Sequence, residues 1–270
     1  MIKKRLIFTL LYSNNFFYQS RNFNIQNVGD TEWLKKHYNF RNISHYVDEI
    51  IIIDISRSNR DKEEFLKAVR EVSKDCFIPI TVGGGINSLE DAKYFLTNGS
   101  DKILLNTAVL ENTSLVNKIA KVYGEQSILV GIDLKKIENN YYIFSNNGQK
   151  KENVKIKDYI KKLSDLNFGE LYLNSINNDG TGTGLDYEML NFIPKGFKRP
   201  IILSGGTGNF HHIYDGLERN GVNAISTANL LNFIGDSLIK TRLKLISKKI
   251  PFPEWNTKLL KEAENYFIQN

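Results

Sequence analysis

The sequence predicts an α/β fold, a single (β/α)8 TIM barrel assembled from two similar half-barrels. Three observations predict it. Eight short runs rich in β-branched residues alternate with longer amphipathic stretches, the order that produces a parallel sheet covered by helices. Runs that are apolar throughout, such as Ile50-Ile51-Ile52-Ile53 and Ile201-Ile202-Leu203, suit strands buried on both faces. The halves also echo each other at a spacing of about 120 residues, a period too long for a solenoid. Ile78-Pro79-Ile80-Thr81-Val82-Gly83-Gly84-Gly85 answers Pro200-Ile201-Ile202-Leu203-Ser204-Gly205-Gly206, and Leu11 answers Asp133.

Each strand has its own justification. The first, 5–11, follows Lys4-Arg5 with a nearly unbroken apolar run. The second, 49–55, is the isoleucine run between Glu49 and Asp54, and the third, 78–82, ends in three glycines. The fourth, 102–105, is Lys-Ile-Leu-Leu before Asn106-Thr107, and the fifth, 127–133, closes as Val130-Gly131-Ile132-Asp133. The sixth, 170–174, opens on Glu170; the seventh, 200–204, ends at Gly205-Gly206; the eighth, 224–227, leads to Ala228-Asn229. Residues 1–250 thus form the barrel. The segment 251–270, Pro251-Phe252-Pro253-Glu254-Trp255 and then a polar helical stretch, reads as an extension packed on the barrel or a contact surface for another chain.

Composition narrows the function classes. A chain of 270 residues, 41% hydrophobic, suits one large domain, and its net charge of +6 is spread over helix surfaces, which favours anionic ligands only weakly and speaks against nucleic acid. The single Cys76 excludes an intramolecular disulfide and leaves no cysteine cluster for a metal; no cofactor is implied. With no apolar run of membrane-spanning length and no signal-peptide pattern at Met1-Ile2-Lys3-Lys4, no membrane partner and a cytoplasmic location are expected.

In such a barrel the ligand site lies at the C-terminal ends of the strands, where glycine-rich turns bring backbone N–H groups to a phosphate. The candidates are Gly84 and Gly85 with Asn106 and Thr107, and Gly205 and Gly206 with Asn229. A glycine pair after a strand is also a common tight turn, but two sites related by the repeat would suit one elongated ligand with a phosphate at each end. Asp133 would present a carboxylate to the mouth as a general acid or base, or only bind loop backbone. Asp54 and Asp179 are lesser mouth candidates, since Asp-Gly turns occur without function. At the other end Arg5, Glu49, Lys102 and Glu170 begin strands, and two cations with two anions would close a salt-bridged ring that either seals the barrel floor or opens.

Lys4-Arg5-Leu6-Ile7, Asn22-Phe23, Phe77-Ile78-Pro79-Ile80-Thr81-Val82-Gly83-Gly84-Gly85-Ile86, Ser100-Asp101-Lys102, Asn106-Thr107-Ala108 and Asp179-Gly180-Thr181 together resemble the cyclase (HisF-like) subunit of imidazole glycerol phosphate synthase, over residues 3 to about 245. The resemblance implies a barrel that takes ammonia from a separate glutaminase (HisH-like) subunit docked at its floor and delivers it to a phosphoribulosyl intermediate at the mouth. It assigns Arg5, Glu49, Lys102 and Glu170 to an ammonia gate, Asp101 to the docking face, and Gly84, Asn106, Thr107, Gly205, Gly206 and a substituted Asn229 to phosphate binding. The family uses two mouth aspartates; only Asp133 matches, and Leu11 stands at the other position.

A leucine exchanges no proton, and losing a positioned acid or base costs about two to four orders of magnitude in rate. The expected function is therefore a divergent paralogue, a HisF-like subunit of a glutamine amidotransferase complex that channels ammonia to another acceptor. The resemblance suggests an acetamido sugar of a surface polysaccharide, with a third, ATP-using amidotransferase protein. The alternatives are an active cyclase in histidine biosynthesis and a non-catalytic scaffold for a small phosphorylated or sugar ligand.

Overall fold

The computed structural model describes residues 3–38, 40–74, 76–228 and 237–253. The chain runs β1 (Arg5–Ser13), β2 (Phe16–Arg21), β3 (Asn24–Asp30), α1 (Thr31–His37), α2 (Phe40–Ile43), β4 (Glu49–Asp54), α3 (Lys62–Ser73), β5 (Ile80–Gly83), α4 (Leu89–Leu96), β6 (Lys102–Leu105), α5 (Thr107–Glu111) and α6 (Ser114–Tyr123). It continues through β7 (Ile128–Ile137), β8 (Asn140–Ser145), β9 (Lys150–Lys151), α7 (Ile156–Ser164), β10 (Glu170–Ser175), β11 (Ile201–Ser204), α8 (Phe210–Leu217), β12 (Val222–Thr227) and α9 (Ser237–Ser247). Eight strands, β1, β4, β5, β6, β7, β10, β11 and β12, pair in parallel, and β12 returns to β1 with Arg5 opposite Ala224. The predicted barrel is therefore closed.

The period-two alternation of a strand sorts side chains between two cores. Along β1, Leu6, Phe8, Leu10 and Tyr12 pack outward under the helices, whereas Ile7 joins Ile51, Leu104, Leu129, Tyr172, Ile202 and Ala224 inside the barrel. The covering helices begin where the sequence supplies caps: Asp61 accepts from Glu63 N and Glu64 N at α3, and Ser88 and Asp91 form a capping box at α4.

Two strands run further than the sequence suggests. β1 continues to Ser13 and turns through Asn14 and Asn15 into β2, and β7 continues to Ile137 and pairs with β8. Asn14 and Asn15 have φ of 46° and 68°, the left-handed values that two-residue hairpin turns require and that asparagine tolerates. Each half of the barrel thus carries a hairpin extension after its first strand. The repeat also appears in the glycine turns: a Cβ on Gly84 would lie 2.0 Å from the Asp54 carbonyl oxygen, and one on Gly205 would lie 2.5 Å from that of Ser175. In both cases the obstruction is the last residue of the preceding barrel strand.

The C-terminal segment returns to the floor. Lys4 N donates to Pro251 O at 2.8 Å, and Arg242 on α9 grips buried Asp48 with two 2.7 Å hydrogen bonds while donating to Pro253 O. Residues 254–270 of the expected extension lie outside the described residues.

Candidate active site

A cavity of about 280 Å³ opens at the C-terminal ends of the strands. Asp133, near the middle of β7, enters it with both carboxylate oxygens held: Asn106 Nδ2 donates to Oδ2 at 2.7 Å and Asn174 Nδ2 donates to Oδ1 at 2.9 Å. Burial pushes the Asp133 carboxyl up to about 6; the two amides oppose the shift and the charge of Asp179 adds to it. A carboxyl titrating there can give or take a proton near neutral pH.

Leu11 lines the same cavity beside Ile53, its register partner on β4, and the wall continues through Phe23, Ile25 and Ile55. The cavity thus has a polar side around Asp133 and an apolar side around Leu11. The other lining carboxylates among the described residues are Asp179 and Glu111. The Asp179 carboxylate is occupied by the first hairpin: Ser20 Oγ donates to Oδ2 at 2.5 Å and Phe23 N at 3.1 Å, while Asn22 N donates to the Asp179 carbonyl at 2.8 Å. It clamps the β2–β3 tip over the mouth. Asp54 lies behind the lining, buried, accepting from Ser56 N at 2.8 Å and facing Arg60 Nε at 3.4 Å.

Gly84, Gly85, Asn106 and Thr107 all border the cavity, and Thr107 Oγ1 accepts from Asn146 N at 3.2 Å. Gly205 and Gly206 are buried behind Ser204 and Ala228, which do border it. A turn covers Gly206 so closely that a Cβ there would lie 1.9 Å from Gly184 O. Asn229 lies outside the described residues.

At the floor, the four charged strand-starting residues meet. Arg5 Nη1 lies 3.0 Å from Glu49 and 3.1 Å from Glu170, and Lys102 Nζ lies 2.9 Å and 3.0 Å from the same two carboxylates. Thr81 Oγ1 donates to the free oxygen of Glu49 at 2.5 Å. Burial works against the charges of Arg5, Lys102 and Glu170. The Glu170 and Glu49 carboxylates nevertheless hold the Arg5 and Lys102 pKa values above their usual range, and Arg5 and Lys102 hold that of Glu170 below its own. Asp101, exposed at the floor, accepts from Ile80 N at 2.8 Å and so braces the start of β5.

A family model described as histidine biosynthesis protein matches residues 24–234. The chain belongs to that family. Among individual proteins, a putative imidazole glycerol phosphate synthase subunit hisF2 of Parasynechococcus marenigrum is 43% identical over 242 residues, 90% of each chain. The imidazole glycerol phosphate synthase subunit HisF of Chlorobium phaeovibrioides is 34% identical over 84% of this chain and 90% of its own, and that of Chlorobium limicola 32% identical over 93% and 99%.

In this HisF-like barrel, several residues of the site escape a motif-based reading. Arg57 and Arg60, on the loop after β4, border the cavity, and the Gln149 amide oxygen accepts from Arg57 Nη1 at 2.9 Å. Their place just after a strand's C-terminal end was a usable signal. Thr9, Tyr172 and Ser204 form the cavity's lower wall, and only strand alternation, counted from Arg5, Glu170 and Ile202, points them inward.

Proposed function

We propose that this chain is the barrel subunit of a glutamine-dependent amidotransferase complex, receiving ammonia from a HisH-like glutaminase at its floor and passing it to an acceptor other than the histidine-pathway intermediate. The observation that carries the reading is the contrast between the two ends. The floor keeps a complete four-charge ring around the barrel axis, while the mouth pairs Asp133 with Leu11 and not with a second carboxylate.

The ring has no net charge and can part without exposing an uncompensated ion, because each cation retains a carboxylate. Above it, the apolar layer from Ile7 to Ala224 favours neutral ammonia over ammonium, whose desolvation there is costly. Asp133 remains able to move a proton at the mouth. With Leu11 opposite, one group must serve where a paired acid and base would act.

Stimulation of a cognate glutaminase by the purified chain tests the proposal. Binding with faster glutamine hydrolysis is expected, and failure to bind any glutaminase would sink it. A second reading, a working cyclase of histidine biosynthesis, draws support from Asp133 itself, and rescue of a cyclase-deficient histidine auxotroph would establish it.

A further inference from the structure

The barrel interior is divided, and two side chains stand at the division. None of the four ring residues borders the mouth cavity, whereas Tyr172 and Leu104 belong both to the cavity wall and to the apolar layer above the ring. Ile7, Ile51, Leu129 and Ile202, which complete the layer with Ala224, are each 0% exposed.

Tyr172 differs from the others in carrying a hydroxyl to the top of this layer. The hydroxyl donates to Ser204 Oγ at 2.8 Å and lies 3.4 Å from Ser226 Oγ, which shares a 2.6 Å hydrogen bond with Thr9 Oγ1. All four hydroxyls are buried, and Thr9 and Ser204 face the cavity. Packing does not call for this cluster, since burying a hydroxyl is unfavourable unless it is hydrogen-bonded, and apolar residues would fill the same space.

We propose that Tyr172 is the inner gate of the conduit, a phenol that closes the passage between ring and cavity while its hydroxyl is seated on Ser204 and Ser226. When it swings away, Thr9, Ser204 and Ser226 become the first hydrogen-bonding station for a neutral molecule of ammonia size leaving the apolar layer. Because Ser204 is part of the cavity wall, and its register partner Asn174 holds Asp133, a ligand seated in the cavity has a direct handle on the gate. The proposal rests on the conduit reading above.

Accessibility tests it without an acceptor or partner. Ala224 is fully buried, does not border the cavity and pairs in register with Arg5, so Ala224→Cys in a Cys76→Ala background places a thiol on the ring side of the phenol. Its modification by methyl methanethiosulfonate, followed by mass spectrometry, is expected to be slow with Tyr172, at least about tenfold faster with Tyr172→Leu, and about threefold faster with Tyr172→Phe, which keeps the ring and loses its anchor. Native Cys76, buried in the outer core, reports general loosening and is expected to react at one rate in all three chains lacking the reporter. An unchanged reporter rate in Tyr172→Leu and Tyr172→Phe, or acceleration matched at Cys76 in both, overturns the gate. Loss of glutaminase stimulation with the accessibility pattern intact would instead sink the conduit and leave the phenol as the barrier.

Discussion

Replacing Asp133 by Asn isolates the cost of holding a carboxyl in the barrel mouth. Asp133 titrates at about 6 in the folded chain, against about 3.9 when unfolded. Because the folded value is the higher, the folded state binds more protons between the two values, and stability is lost as pH rises from about 4 to about 6. Above neutrality the full difference applies, about 2–3 kcal/mol. The asparagine removes this titration but turns one acceptor into a donor facing Nδ2 of Asn106 or Asn174. Asn106 Oδ1 is buried without a partner among the described residues, so turning that amide over supplies the missing acceptor. The variant is expected to exceed its parent in stability by about 1–3 kcal/mol at pH 8 and by roughly half as much at pH 5, measured by urea unfolding. A difference independent of pH, or a variant less stable at pH 8, would refute the burial argument.

Other substitutions probe the remaining parts. Glu49→Ala leaves Arg5 and Lys102 sharing Glu170 alone in a buried ring, and a loss of about 3–5 kcal/mol is expected in urea unfolding; a loss below about 1 kcal/mol would mean that the ring is a solvated surface network. Gly84→Ala, at φ 93° with its new methyl 2.0 Å from Asp54 O, should cost more than about 2 kcal/mol and disturb β4, visible as faster amide exchange there; a thermal midpoint equal to that of the parent would contradict the geometry. Asp179→Ala removes the acceptor of Ser20 Oγ and Phe23 N, so trypsin cleavage after exposed Arg21 should accelerate severalfold at a stability cost of about 1–2 kcal/mol. An unchanged cleavage rate would show that the hairpin is held elsewhere.

The barrel was legible because its signals are local and repeated: apolar runs set the strands, and most described strand ends fall within about two residues of those expected. The ring was legible for a related reason, since charged residues at strand starts point inward by the same alternation that places Ile7 and Ile51. The hairpins were not. Asn14-Asn15 marks a turn whether or not strands flank it, and the pairing that extends β1 is decided by tertiary contacts such as the clamp at Asp179. Tyr172 was hidden for a different reason. On its strand it looks like any β-forming aromatic, and only the meeting of β1, β10, β11 and β12 brings Thr9, Ser204 and Ser226 to its hydroxyl.

The most direct measurement is glutamine-dependent cyclase turnover by the purified chain with a cognate glutaminase and the phosphoribulosyl substrate, run beside a Leu11→Asp variant. Glutaminase binding and glutamine hydrolysis with no cyclisation are expected of the unmodified chain. Cyclisation by the unmodified chain at a rate comparable to a two-aspartate cyclase would contradict this expectation and return the protein to histidine biosynthesis.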